Sequence, residues 1–276
     1  MELDDRYSRQ VLFRGIGAAG QQKLAAGHVA IVGCGATGSA LASLLARAGV
    51  GTIRIIDRDY IETSNLQRQS LFDETDASES LPKAVAAARK IAAFNSQTVV
   101  EPHVADLTPA NIDSLLEGIA LILDGTDNFE TRYLINDFAV KNSRPWIYTG
   151  AVGSYGVTMN ILPGRTACLA CMFPEVPSGM VETCDTAGIL NSAVNLGASI
   201  AATEAIKFLV GAEAQLRRTL LSFDVWCNER GEIAADKPRP GCRACDRHEF
   251  PHLAGEGRPH ITLCGRNSVQ IHERHR

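Results

Sequence analysis

The stretch HVAIVGCGATGSALASLLARAGVGTIRIID, residues 28–57, confines the fold more tightly than any other part of the chain. An apolar run over 28–33 predicts a strand. The spacing Gly33-Cys34-Gly35-Ala36-Thr37-Gly38 follows, residues 37–48 predict a helix stopped by Gly49, and TIRIID predicts a second strand ending on Asp57. A strand–helix–strand unit of this kind takes a right-handed crossover. The pattern G-x-G-x-x-G is weak evidence alone. Between a strand and a helix it gains meaning, because the helix N-terminus turns unpaired N–H groups and partial positive charge toward a phosphate. Asp57 lies 19 residues after Gly38, where a carboxylate meets ribose hydroxyls.

The alternation continues beyond this unit. Residues 82–94 predict an alanine-rich helix with Pro82 in its first turn, TVVEPHV a third strand, NIDSLLEG a short helix, and IALILD a strand apolar on both faces. Residues 6–27 read as one helix with Gly27 as its stop. After about residue 145 the grammar changes: WIYTGAVGSYGVTMNILPG suits an antiparallel hairpin, residues 189–210 a long helix, and TLLSFDVW a further strand. The expected class is α/β, a doubly wound, mostly parallel sheet with a glycine-rich nucleotide loop and an antiparallel C-terminal extension. The expected division is 28–145 as the nucleotide-binding half, 146–246 as a second half, and 247–276 as a tail.

With 276 residues, 45% hydrophobic and 21% charged, the chain can bury a sizeable core. A net charge of -4 without a basic patch argues against nucleic acid as a partner. Asn191, Asn195, Glu204 and Lys207 interrupt the apolar stretch 189–210, so it reads as a buried or interface helix, with no membrane span. The acidic start MELDDRYSRQ is no secretory signal, so a cytoplasmic location is expected, with the eight cysteines reduced, metal-bound or catalytic.

NAD is the default ligand of such a loop, and an oxidoreductase on this fold stays open. Other charges favour a triphosphate with Mg²⁺: Arg9 in RYSRQ, Arg68 in SNLQRQ, Lys83 in LPKA, and Asp127 after the fourth strand in LILDGTDN. Five of the seven histidines fall after residue 247, which leaves no obvious acid–base histidine for hydride transfer. Cys168-Leu-Ala-Cys171 and Cys242-Arg-Ala-Cys245 have the spacing of two knuckles of a closed, tetrahedral Zn²⁺ site, structural because it keeps no open position. Cys184 stands apart in a polar loop and is a candidate nucleophile.

RYSRQ, GCGATG, the strand ending on Asp57, SNLQRQ, Lys83, DGTDN and the two C-x-x-C pairs occur in the order found in the ThiF/MoeB/HesA family, bacterial relatives of ubiquitin-activating enzymes. The chain resembles that family over residues 3–246. The resemblance implies binding of ATP and Mg²⁺ and adenylation of the C-terminal glycine carboxylate of a ubiquitin-like sulfur carrier ending in Gly-Gly, with release of pyrophosphate, for thiamine, molybdenum cofactor or related biosynthesis. It places Gly33, Gly35, Gly38, Asp57, Asp59, Asn65, Arg68, Lys83, Asp127 and Asn128 around the nucleotide, with Asp57 on the ribose and Asp127 on the metal. It also implies a homodimer in which Arg9 reaches the triphosphate across the interface, a structural zinc, and Cys184 in acyl or sulfur transfer. A sulfurtransferase or cysteine desulfurase would be a further partner, and 146–246 the carrier-binding half. The segment GILNSAVNLGASIAATEAIK departs from the glycine- and proline-bearing start of the long helix in many relatives, and ITLCGRNSVQI is similar to an extension of some ThiF-like members. A scaffold that binds a ubiquitin-like partner without chemistry is the third class; Arg9, Arg68, Lys83 and Asp127 speak against it.

Overall fold

The structure is a computed structural model that describes residues 5–174 and 187–256. Its strands are β1 (His28–Val32), β2 (Thr52–Ile56), β3 (Val99–His103), β4 (Leu121–Asp124), β5 (Trp146–Val152), β6 (Tyr155–Ile161), β7 (Thr219–Asp224) and β8 (Glu229–Ala234). They form one sheet in the order β3-β2-β1-β4-β5-β6-β7-β8. The first five are parallel; β5 to β8 run antiparallel to their neighbours. The central parallel strands are largely apolar because helices cover both of their faces: β4 reads Leu-Ile-Leu-Asp and every residue of it is buried, whereas the edge strand β3 reads Val-Val-Glu-Pro-His and is partly exposed.

The helices are α1 (Ser8–Val11), α2 (Gly17–Ala25), α3 (Ala36–Arg47), α4 (Glu74–Ser78), α5 (Lys83–Phe94), α6 (Ile112–Leu115), α7 (Phe129–Lys141), α8 (Leu169–Met172) and α9 (Asn191–Val210). Two apolar clusters result, one on each face of the sheet. Leu41 and Leu45 of α3, Ile91 of α5 and Ala198, Ala201 and Ala205 of α9 pack with Ile31 and Ile53. On the other face Tyr133, Ile135 and Phe138 of α7 pack with Trp146, Met159, Leu169 and the cysteine pairs. By length and composition α9 qualifies as a membrane-spanning helix; its alanine-rich side is instead buried against α3 and the sheet.

Besides the short helices α4 and α8, which were not expected, three elements differ from the sequence reading. The single helix expected over 6–27 breaks into α1 and α2, with a turn over 12–16 and Gly17 at φ +59°. Helix α7 was not expected. Arg132 through Ala139 are buried in succession, so no polar stripe betrays the helical period, although Asn128 caps its start by accepting from the Thr131 N–H at 2.9 Å. Strand β8 was not expected either: Glu-Arg-Gly-Glu-Ile-Ala is exposed at every position on the sheet edge and shows no apolar alternation.

Candidate nucleotide site and cysteine cluster

The strand order places a switch point between β1 and β4, whose successors lie on opposite sides of them, and ligands of open α/β sheets bind above the carboxyl ends at such a point. Gly33 leaves β1 there with φ +84°, and a side chain on it would reach within 2.6 Å of Gly125 O. Gly38 sits one turn into α3, where a Cβ would overlap Gly33 O. These two glycines, together with Gly125, let the β1 loop, the start of α3 and the β4 loop touch backbone to backbone. Gly35 is different. Among the described residues, apart from its chain neighbours, the nearest atom to its missing Cβ is Gln69 Nε2, at 4.0 Å. The protein leaves the space in front of Gly35 open beside the helix N-terminus, as a phosphate group requires.

Asp57 closes one side of this cradle. It is 9% exposed, and its carboxylate accepts the Cys34 N–H at 2.5 Å and the Asp59 N–H at 2.7 Å. Burial pushes its pKa above the ordinary carboxylate value, against the opposing pull of the Lys83 charge and those two N–H groups. Lys83, 7% exposed at the start of α5, places Nζ 3.0 Å from Asp59 Oδ2, and its own N–H donates to Asp59 O at 2.9 Å. The isolated bridge between Tyr60 and Pro82 pins these two loops together. The sequence pattern brings Gly33, Gly35, Gly38, Asp57, Asp59 and Lys83 to one place.

The SNLQRQ loop forms the adjoining wall. Asn65 is buried and its Oδ1 accepts the Glu62 N–H, while Arg68 donates Nη1 to Ser64 O at 2.9 Å. Asp127 and Asn128 are exposed beyond β4, with Asn128 Nδ2 3.4 Å from Asp127 Oδ1. Their loop is braced by an ion pair that the sequence reading missed. Asp124 is fully buried and takes Arg132 Nε at 3.0 Å, the Thr126 N–H at 2.8 Å and the Thr126 hydroxyl at 2.7 Å. Arg132 Nη2 then donates to Thr126 O at 2.6 Å, and the guanidinium lies over the rings of Phe129 and Tyr148. A charged residue closing an otherwise apolar strand was the available signal for Asp124.

Arg9 is not part of this constellation within one chain. Gln10 donates to Ala48 O at 2.8 Å, so α1 lies at the far end of α3, about 18 Å from the glycine loop at 1.5 Å per residue, and Arg9 is exposed there. Cys184 lies outside the described residues.

The two cysteine pairs converge on the face of the sheet covered by α7. Cys168 Sγ is 3.7 Å from Cys171 Sγ and 3.7 Å from Cys242 Sγ, and Cys171 Sγ is 3.8 Å from Cys245 Sγ. The edge of a tetrahedron with metal–sulfur bonds of about 2.3 Å is about 3.8 Å, so the four sulfurs already have the spacing of a thiolate metal site. All four lie within 4.8 Å of one another, three of them on buried residues. The Cys168 thiol donates to Cys171 Sγ and holds the Cys171 thiol far below its usual pKa. Arg239 N–H also points at Cys171 Sγ, at 3.3 Å.

The sequence profile of the ThiF family matches residues 7–244. The chain belongs to the ThiF family. Over 271 residues it is 47% identical to the "Sulfur carrier protein ThiS adenylyltransferase" of Bacillus subtilis (strain 168), covering 98% of this chain and 80% of that one. Over 251 residues it is 35% identical to the "Sulfur carrier protein adenylyltransferase" of Thermus thermophilus, covering 85% of this chain and 92% of that one. Among solved structures, E. coli MccB with MccA-N7isoASN matches at TM-score 0.78 and 24% identity, over 89% of this chain and 75% of that one. At that identity the likeness speaks for the fold alone.

Proposed function

We propose that the chain binds ATP with Mg²⁺ above β1, β2 and β4 and adenylates the C-terminal glycine carboxylate of a ubiquitin-like sulfur carrier ending in Gly-Gly. The names of its relatives support the reaction class. The observation that carries the reading is the open cradle over Gly35, bounded by the buried Asp57 carboxylate and the buried Lys83 ammonium. In this reading Asp57 accepts the ribose hydroxyls, Lys83, Arg68 and Asn65 hold the phosphates, and Asp127 with Asn128 faces the Mg²⁺. That ion would add further charge neutralisation on the triphosphate.

The chemistry needs little beyond placement. A terminal carboxyl has a pKa near 3.5, so the nucleophile is ionised at neutral pH and no general base is required. Its oxygen attacks the α-phosphorus, the bond to the bridging oxygen breaks, and pyrophosphate leaves with that electron pair. Lys83 and Arg68 offset the charge that builds on the leaving group. Lys83 is already held in place by Asp59, so little reorganisation precedes the step. Arg9 would come from a second protomer, consistent with its distance from the glycine loop in its own chain, so the active form is a homodimer. The four thiolates would hold zinc in a structural role. Cys184 would take the activated acyl group or the sulfur, supplied by a sulfurtransferase or cysteine desulfurase. The location is cytoplasmic, residues 146–246 form the carrier-binding half, and the pathway is thiamine, molybdenum cofactor or related sulfur incorporation.

ATP–pyrophosphate exchange tests the reading. The purified chain should catalyse exchange only when a carrier ending in Gly-Gly is present, and Lys83→Ala should lower the rate at least a hundredfold while metal content stays unchanged. Absence of exchange across a panel of such carriers from the same cell would reject it.

A further inference from the structure

The SNLQRQ loop holds a side chain with no task in the fold. Gln69 is 3% exposed, and its backbone is secured: its N–H donates to Asn65 O at 2.9 Å and its carbonyl accepts the Phe72 N–H. Its carboxamide is not. Oε1 is buried without a hydrogen-bond partner, and among the described residues Nε2 is the nearest atom, chain neighbours of Gly35 apart, to the open space in front of that glycine. Other unpartnered buried atoms among the described residues sit elsewhere. Trp146 Nε1 and Asn160 Oδ1 border a small cavity beneath α9, while Arg243 Nη2 and His252 Nδ1 belong to the segment that carries Cys242 and Cys245.

A buried amide that finds no partner opposes folding, because water has been taken from it without return. Nε2 is the end of that amide turned toward the space over Gly35, where a phosphate oxygen would accept from it, while Oε1 faces into the protein. Rotation about χ3 brings either end of the amide to the cradle at little cost, since terminal sp³–sp² torsions are broad. The end that suits a phosphate is the NH₂, which carries two donors and no charge.

We propose that Gln69 is a nucleotide-positioning residue: its Nε2 donates to the phosphate oxygen that passes over Gly35 and fixes how far the triphosphate lies along the cradle. The proposal rests on the reading that ATP occupies this cradle. It divides labour within the loop. Arg68 and Lys83 attract any polyphosphate from a distance, whereas a neutral amide acts only at hydrogen-bond range and in one direction. A phosphate displaced along the cradle keeps its attraction to the cations and loses this contact.

The test uses the full chain, with ATP and adenosine as probes by calorimetry and melting followed without ligand. Gln69→Met keeps the shape and removes the amide. Its ligand-free melting temperature should equal or exceed that of the wild type, its Kd for ATP should rise about tenfold or more, and its adenosine affinity should stay unchanged. Gln69→Glu should weaken ATP further, because it turns a carboxylate toward the phosphate, and should also leave adenosine alone. A Gln69→Met variant that binds ATP within twofold of the wild type overturns the proposal. So does one that melts earlier and loses ATP and adenosine alike, which would make Gln69 a strut of the loop. A wild type that binds ATP but gives no exchange with any carrier rejects the proposed reaction and leaves the Gln69 result standing; a wild type that binds no ATP rejects both.

Discussion

One face of the sheet and the carboxyl ends of its parallel strands carry chemistry of opposite temper. On one face the thiols of Cys168, Cys171, Cys242 and Cys245 sit within 4.8 Å of one another, mostly buried, with their spacing already set by the fold. At the end of the parallel strands the groups are left open: Gly35 faces free space, Asp127 and Asn128 are exposed, and the Gln69 Oε1 lacks a partner. A closed set of soft ligands suits a permanent occupant, and a cradle of unspent polar groups suits one that comes and goes. The difference teaches that one sheet can carry a staple and a working site if the two draw on separate loops.

The largest effect should come from breaking the staple. Cys242→Ser with Cys245→Ser removes half of the donor set. If the cluster holds zinc, metal content should fall from one ion per chain to none. Structural sites of this kind contribute on the order of 10 kcal/mol of gross binding, comparable with the whole net stability of a domain. Folding should therefore fail, or the melting temperature should drop by tens of degrees. Elemental analysis and calorimetry decide it. Wild-type protein that keeps its melting temperature after exhaustive chelation would show that the cluster is no staple.

The glycine loop offers a smaller and sharper contrast. Gly38→Ala forces a methyl group onto Gly33 O, so backbone must move, at a cost of about 1–3 kcal/mol of stability. Gly35→Ala meets nothing within 4.0 Å among the described residues except the end of Gln69, and its φ of −74° avoids the left-handed region, so the loss of stability should come only from its ψ of −146° and stay below about 1 kcal/mol. Its cost should appear only with nucleotide present, as a loss of ATP affinity of about tenfold or more, since the methyl occupies the phosphate's place. Equal losses of stability in both variants would remove the distinction between fold glycine and ligand glycine.

Much of this was legible in the sequence because it rests on contiguous patterns. The strand–glycine–helix unit, Asp57 at a strand end and the paired cysteines each have a spacing that physics makes meaningful over a few residues. What escaped lacked such a pattern. Helix α7 is buried on nearly every side, so its period is masked, and with it went Arg132, whose partner Asp124 is adjacent only through the fold. Gln69 was passed over because a glutamine in a polar loop looks solvated until the loop folds inward. Strand β8 is an exposed edge that only its pairing with β7 defines. Sequence locates chemistry that a motif concentrates, and structure is needed for what supports it.

The smallest effect should be a pH dependence set by Asp57. Burial raises its pKa above the ordinary 3.8, with the Lys83 charge opposing and the Asp59 charge assisting. A carboxyl with a raised folded-state pKa contributes stability when protonated. That contribution is complete below the unfolded value and lost as pH rises through the folded value, where the ionised group is buried at a cost. If Asp57 holds the ribose as proposed, nucleotide binding runs the other way, because only the carboxylate can accept both hydroxyls. As pH falls through the folded pKa and below it, ATP affinity should decline by up to tenfold per pH unit, while the Asp57 contribution to ligand-free stability grows until the unfolded value is reached. Melting curves across pH, with and without ATP, separate the two trends. In Asp57→Asn both slopes should flatten, since no proton is left to exchange. A variant that keeps the wild-type slope in ATP affinity would show that Asp57 is not the controlling group, and the cradle would then bind the ribose by other means.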